Sequence, residues 1–427
     1  MNGEKRKLGC IADDFTGAGD LASFLAKGGM RTVLYCGELN ESETVGDAQA
    51  VVIPLKIRTE KKNTAISEAL KAAAFLKKIG CTQFYIKYCS TFDSTPQGNI
   101  GPVVDAVMEY LQESCTILCP ALPVNGRTVK DGTLYVNGIP LAKSSMRNHP
   151  LTPMWASRIS ELMKDQGKYA CMNIPASFYK MEQEKVLEHI RSAMKNQNSY
   201  YLVPDFYREE HAKAIIRIFG AFKLLTGGSG IGEELARTYG KLIENKKNSA
   251  PETEGRAVLV AGSVSETTLA QIRHYKNLGK NFYKIDPQKL WYGEITAEDI
   301  CKSIQEKEEV LIYCTEGWEE RKASEKFGSE RFAALLENTL AQVVCRSVKD
   351  GAKRIISAGG ETSGAVIKAL AYQTYLISES IAPGVPVMIP SERPDVRIVL
   401  KSGNFGQEDF FAKALCMTKV NKNGEEK

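Results

Sequence analysis

Short apolar runs recur along this chain, each followed by a stretch of helical period. Leu8–Ala12 reads as a strand, and Ala18–Lys27 as a helix closed by Gly28-Gly29. Arg31–Tyr35, Val51–Leu55, a helix near Thr64–Lys78, the strand Phe84–Lys87, a helix near Val103–Gln112 and the strand Thr116–Cys119 continue the alternation. Such β-then-α spacing predicts a mostly parallel sheet with helices on both faces. Glu244–Arg256 is almost uniformly polar and carries Pro and Gly, the composition of a linker. Beyond it the rhythm restarts with Ala257–Ala261, Thr267–Lys276, Phe282–Ile285, Glu309–Tyr313, a long helix near Glu330–Ser347 and Arg354–Ser357. The expected architecture is α/β with two domains, 1–245 and 257–427, joined by a linker at 246–256. Each is expected to hold a mostly parallel sheet flanked by helices, with a ligand cleft between them. There is no low-complexity tract and no internal repeat.

Length supports this division, because 427 residues exceed what one hydrophobic core usually sustains. A net charge of +5 is spread along the chain, and the longest basic cluster is only Lys5-Arg6-Lys7. Nucleic-acid binding would call for a concentrated basic stripe with interleaved aromatics, so no nucleic-acid partner is expected. No apolar stretch approaches the ~18 residues that cross a bilayer, so no membrane partner is expected either. The 11 cysteines form no C-x-x-C pair and no secretory leader is visible, which reads as free thiols in a reducing cytoplasm. His149, His189, His211 and His274 are too dispersed for a metal cluster.

Glycine-bearing turns that run from a strand into a helix carry the candidate chemistry of the second domain. They are Ala261-Gly-Ser-Val-Ser265, Ala358-Gly-Gly-Glu-Thr-Ser363 and, after Val396–Leu400, Lys401-Ser-Gly-Asn-Phe-Gly406. Glycine lets a backbone approach a phosphate, and a helix N-terminus offers unpaired N–H groups with partial positive charge. Ser and Thr are also ordinary N-caps, so a single such turn proves little. Their recurrence in one small domain points to a nucleotide, with Ser263, Ser265, Gly359, Gly360, Glu361, Thr362, Ser402 and Gly403 as candidate contacts. None of the turns ends in the Gly-Lys-Ser/Thr of a Walker A loop. The run Thr226-Gly-Gly-Ser-Gly-Ile-Gly232 matches a dinucleotide fingerprint only loosely.

In the first domain, polar residues arrive where strands end. Asp13 and Asp14 follow Leu8–Ala12, Lys56 and Arg58 follow Val51–Leu55, and Lys87 leads into a loop with Ser90, Asp93, Ser94 and Asn99. Arg127 closes the loop after Thr116–Cys119, and His149 lies further on, as a substrate contact or a turn residue. Parallel sheets gather ligands at this edge. Arginine grips a carboxylate in bidentate fashion and Asp accepts from hydroxyls, which suits a small polyhydroxylated acid. Surface charges and structural ion pairs would look alike one residue at a time; the repetition at equivalent strand ends favours a site.

Thr16-Gly-Ala-Gly-Asp20 resembles the signature of ribokinase-type sugar kinases, but there it falls near the C-terminal end and here it follows the first strand. Asp20 is therefore expected to be a residue of a helix N-terminal turn rather than a base. A sugar-acid dehydrogenase or a non-enzymatic sensor would need, respectively, a proper fingerprint after the first strand or no second glycine-rich domain. The motifs together resemble the four-carbon acid sugar kinase family, from Gly9 to about Phe411. The resemblance rests on Ala12-Asp-Asp-Phe-Thr-Gly-Ala18, Lys87–Pro102, Pro120-Ala-Leu-Pro-Val-Asn-Gly-Arg127 and Asn148–Pro153. Ala358–Ser363, Ile381-Ala-Pro-Gly-Val-Pro386 and Leu400–Gly406 extend it into the second domain. Tyr88–Thr95 is similar to the 3-oxo-tetronate 4-kinase branch rather than to the threonate or erythronate kinases. The resemblance implies transfer from ATP with Mg²⁺ to the terminal hydroxyl of a four-carbon acid, held by the N-terminal domain while the C-terminal domain holds the nucleotide. Asp13 or Asp14 at the first strand end is then expected to orient or deprotonate the hydroxyl, in a cytoplasmic enzyme that is a possible homo-oligomer.

Overall fold

The structure, a computed structural model, describes residues 6–39, 45–148, 152–240, 253–314 and 329–419. The chain divides into two compact units, Met1–Ile243 and Glu244–Lys427. Most of the stretch expected as a linker lies outside the described residues, as does His149.

The first unit holds β1 (Leu8–Ala12), β2 (Thr32–Tyr35), β3 (Ala50–Pro54), β4 (Gln83–Lys87) and β5 (Cys115–Cys119). A small antiparallel sheet of β6 (Arg127–Lys130), β7 (Thr133–Val136) and β8 (Ile139–Pro140) follows, then β9 (Ala170–Ile174), β10 (Tyr200–Pro204) and β11 (Leu224–Gly227). The large sheet runs β2-β3-β1-β4-β11-β5-β10-β9 and every pairing within it is parallel. Because helices cover such a sheet on both faces, its central strands are apolar throughout rather than alternating; β1, β3 and β4 are buried along their whole length. The small sheet was not visible in the hydrophobic pattern, since its strands are short and only partly buried.

Helices α1 (Phe15–Lys27), α2 (Lys62–Lys78) and α3 (Ile100–Leu111) pack against this sheet. The first begins three residues earlier than its apolar period suggests, because Asp14 caps it: its backbone is extended and its carboxylate accepts from the Gly17 N–H. Asp20 therefore falls in the body of α1, not in its first turn, where no acidic residue stands.

The second unit holds β12 (Ala257–Ala261), β13 (Phe282–Lys284), β14 (Glu309–Tyr313), β15 (Arg354–Ala358), β16 (Thr374–Ala382), β17 (Val385–Pro390) and β18 (Arg397–Lys401). Its order is β13-β14-β12-β15-β18-β17-β16, parallel as far as β18 and antiparallel beyond. Leu259, Ile356 and Val399 from neighbouring strands pack with Leu269, Ile272, Phe410 and Phe411 into one core. Among the described residues no helix is long and apolar enough to cross a membrane. All 11 cysteines are free thiols.

Candidate active site

In the first unit the strand ends come into register along one edge. Pro54 of β3 pairs with Ala12 of β1, Ala12 with Lys87 of β4, Lys87 with Gly227 of β11, and Gly227 with Cys119 of β5. The loops that follow carry the charged residues. The ladder also runs on past the strands: Asp13 N–H donates to the Lys87 carbonyl at 3.0 Å, and Ile57 N–H donates to the Asp13 carbonyl at 3.2 Å. Asp13 is thus held by backbone on both sides.

Arg58 is the hub of this edge. Its Nε and Nη2 donate to the two oxygens of Asp13, each at 2.8 Å. The same Nη2 stands 2.7 Å from Asp14 Oδ2, and Nη1 lies 3.9 Å from Asp93 Oδ2. Burial works against charge here, but Asp13 and Asp14 keep the guanidinium firmly protonated. Burial raises the Asp13 carboxyl above the usual carboxylate range, opposed by Arg58. A carboxylate so placed is more basic than a solvated one, the property a general base needs.

Lys87 makes a second pair. Its buried ammonium stands 3.4 Å from Asp20 Oδ2, which also accepts from Ser229 Oγ at 2.6 Å. Asp20 Oδ1 is buried without a partner, and burial raises this carboxyl too. Gly17 is required beside them, because a Cβ there would stand 2.6 Å from Asp14 Oδ1 and 3.4 Å from Lys87 Nζ. Arg58 and Lys87 thus carry carboxylate partners of their own: Asp13 and Asp14 face Arg58, and Asp20 faces Lys87.

A cavity of about 20 Å³ opens at this edge, lined by Asp13, Arg58, Lys87, Asp93, Ser94 and Asn99 with apolar Ile11, Ile57, Ile86 and Val103. Six of the anticipated residues therefore share one space. Asn99 Nδ2 donates to the Ile57 and Glu60 carbonyls at 2.7 Å, so it fastens the Arg58 loop. Thr91 Oγ1 donates to Asp93 Oδ1 at 2.6 Å. Ser94 Oγ donates to Gln166 Oε1, which also accepts from Gly101 N–H, both at 3.0 Å. Asp14, Lys56, Ser90 and Arg127 do not line the cavity. Lys56 is exposed because its neighbour Ile57 takes the inward position, and Ser90 is half-buried. The Arg127 guanidinium turns back on its own loop and donates to the Asn125 carbonyl.

In the second unit three glycine turns emerge side by side. Ala261 of β12 pairs with Ala358 of β15, and Ala358 with Lys401 of β18. Ser263 N–H donates to the Ala358 carbonyl at 3.3 Å and Gly359 N–H to the Lys401 carbonyl at 2.9 Å. Ser265 caps the helix Glu266–Asn277 by accepting from Thr268 N–H, and its hydroxyl donates to the Gly403 carbonyl at 2.7 Å. A Cβ on Gly262 would stand 2.2 Å from Thr362 Oγ1, and one on Gly403 would stand 2.4 Å from Ser263 Oγ. Gly359, at φ +128°, opens the helix Gly360–Leu370, which has no side-chain cap. A Cβ on Gly360 would meet nothing within 4 Å. A helix N-terminus that opens on a glycine beside open space fits an anionic phosphate. Thr362 is buried, Ser402 half-buried and Glu361 exposed on the first turn of that helix. Among the described residues, no group of three His, Cys, Asp or Glu side chains is arranged to hold a metal ion.

Residues 8–235 match the sugar-binding N-terminal domain and residues 258–411 the nucleotide-binding C-terminal domain. The chain belongs to the four-carbon acid sugar kinase family. It is 42% identical to a 3-oxo-tetronate kinase of Brucella melitensis, over 96% of this chain and 95% of that one. It is 40% identical to a 3-oxo-tetronate kinase of Pseudomonas fluorescens, over 96% of each. A crystal structure from Salmonella typhimurium LT2, solved under the name of a tRNA synthase, superposes with a TM-score of 0.87 at 36% identity, covering 97% of this chain and all 100% of that one.

Two features of this family member escaped the sequence reading. Gln166 follows a short helix and carried no signal, because its partners lie 72 and 65 residues away. Lys401 was read only as the opening residue of the Lys401–Gly406 turn, whereas it closes β18 and is fully buried.

Proposed function

We propose that this chain is an ATP-dependent kinase that phosphorylates the terminal hydroxyl of a four-carbon sugar acid, converting 3-oxo-tetronate to 3-oxo-tetronate 4-phosphate. The observation that carries the reading is a carboxylate-lined cavity in the sugar-binding unit together with three adjacent glycine turns in the nucleotide-binding unit. Identity of 42% to a 3-oxo-tetronate kinase over nearly its full length supports the substrate class.

Phosphoryl transfer asks for positioning and charge stabilisation more than for covalent help. Asp13 accepts the proton as the substrate oxygen attacks the terminal phosphorus and the bond to the ADP leaving group breaks. Asp14, occupied as a helix cap, is the weaker candidate for that role. Asp93 and Asn99 present polar groups to the substrate hydroxyls, and Arg58 holds Asp13 in its orientation. Lys87 supplies positive charge at the cavity wall, moderated by Asp20. The N-terminal turn of the helix that Gly359 and Gly360 open, with the Ser263, Ser265, Ser402 and Gly403 turns, holds the nucleotide phosphates. Magnesium bound with the nucleotide would neutralise charge on those phosphates.

The test is ADP release with ATP, Mg²⁺ and a panel of both 3-oxo-tetronate stereoisomers, threonate and erythronate. Turnover is expected to be highest on a 3-oxo-tetronate, with the new phosphate on C4 by NMR. Faster turnover on threonate or erythronate would move the chain to another branch of the family. Hydride transfer without ADP, or acid binding without turnover, would refute the kinase assignment.

A further inference from the structure

Lys401 is fully buried and, among the described residues, meets no carboxylate. Its Nζ donates to three neutral oxygens, Thr268 Oγ1 and the Ser402 and Gly403 carbonyls, each at 3.0 Å. The Gly403 carbonyl is shared, because it also accepts from Ser265 Oγ at 2.7 Å and Thr268 Oγ1 at 2.8 Å. One ammonium thus ties the turn after β18 to the N-terminal turn of the helix after β12. The buried cations of the first unit contrast with it: Arg58 faces Asp13 and Lys87 faces Asp20. A buried charge without a counter-ion is costly, and this one lies under the turns assigned to phosphate.

We propose that Lys401 is a positioning residue for the nucleotide, fixing the Ser402–Gly403 turn and supplying from beneath it the positive charge that the polyphosphate meets. The inference rests on the assignment of the nucleotide to the second unit. An ordinary structural lysine would also hold the turn, but its charge would not respond to nucleotide.

Burial alone lowers the Lys401 ammonium to about 7. The groups facing it are Thr268 from the helix Glu266–Asn277, Ala358 from the paired strand, the ring of Phe410 with its centroid 5.8 Å away, and the carbonyls of its own turn. None of these titrates. Part of the unliganded protein is therefore neutral at Lys401 in mildly alkaline solution, and a polyphosphate above the turn favours the protonated form. Nucleotide binding then takes up a proton, and affinity falls as pH rises from about 7 toward the higher value reached in the complex. The nucleotide's own phosphate titrates in the opposite sense, binding more tightly as it deprotonates.

The experiment is titration calorimetry of the full chain with ADP, between pH 7.5 and 8.5, in two buffers of different ionisation enthalpy. The parent protein is expected to take up a proton fraction and to bind more weakly as pH rises. Lys401→Met is expected to bind ADP at least ~10-fold more weakly at pH 7.5, with no proton uptake and a flat pH response. Lys401→Arg, charged throughout this range, is expected to recover affinity but not the pH response. A Lys401→Met protein with the parent's affinity and pH response would overturn the proposal. Should that variant fail to fold, a parent that takes up no proton overturns it equally. A parent that releases ADP on the acid panel but fails these measurements sinks the Lys401 role alone, whereas a parent that does not bind ADP removes the nucleotide assignment beneath it.

Discussion

Asp13 and Asp14 are neighbours in sequence but do different work. Asp14 is committed to α1 as its cap, while Asp13 faces the cavity with both oxygens gripped by Arg58. Asn is as good a cap as Asp but gives up the ion pair with Arg58, so Asp14→Asn should keep kcat within ~10-fold of the parent and lower the thermal midpoint only modestly. Asp13→Asn cannot take a proton and should lower kcat by ~10²–10⁴-fold. Equal losses in steady-state kinetics of the two variants would put the base elsewhere. Arg58 sets the pH at which Asp13 works. Burial already raises the Asp13 carboxyl and Arg58 opposes it. In Arg58→Met that opposition is gone, the carboxyl rises further, and the base is protonated over a wider range. Activity is therefore lost earlier as pH falls, so the acid limb of the kcat/KM profile moves to higher pH. An acid limb that stays in place would show that another group controls it. Asp13, Arg58 and Lys87 were legible because each stands at a strand end. Asp20 was not, because its role depends on Lys87 and on Ser229, 209 residues away.

At the scale of elements, most of the parallel strands were readable from hydrophobic runs, since a strand buried on both faces has no alternation to confuse; β9, only partly buried, and β10 beside it were not read. What stayed hidden was register. Only the alignment of Ala261, Ala358 and Lys401 shows that three distant glycine turns form one surface. Two glycines of that surface separate folding from binding. Gly359 sits at φ +128°, and a Cβ there would stand 3.0 Å from Thr362 Oγ1 and 3.1 Å from Ser263 N. Gly359→Ala should therefore cost ~1–3 kcal/mol of stability by denaturant unfolding. Gly360 has open space around its Cβ position and lies at a helix start. Gly360→Ala should leave stability within about 0.5 kcal/mol of the parent, as substitutions away from packed or strained features do. A methyl group in the space assigned to phosphate should nonetheless raise the KM for ATP several-fold with the KM for the acid unchanged. If the acid KM rises instead, the nucleotide has been placed on the wrong surface.

Across the whole molecule, each unit carries its own core and its own set of polar loops at the C-terminal edge of a parallel sheet. Two ligands with different chemistry are therefore expected to leave separate footprints. A cavity walled by Asp13, Asp93 and Asn99 suits hydroxyl groups, whereas a glycine-opened helix start and interlocked serines suit phosphates. Hydrogen exchange followed by mass spectrometry reads both at once, because ligand binding raises the free energy of the local openings that expose amides. ADP should slow exchange in peptides spanning 259–268, 356–366 and 399–406, and leave 9–17 and 55–60 close to the free protein. A four-carbon acid should do the reverse, slowing 9–17, 55–60 and 88–100. The loop at 88–100 is the most discriminating, since Thr91, Ser94 and Asn99 hold it through side-chain hydrogen bonds that the acid would reinforce. Protection of that loop by ADP alone would reverse the division of labour between the units. Protection of neither set by its ligand would leave the two polar edges as structural charge networks and return the search for the site to the rest of the surface.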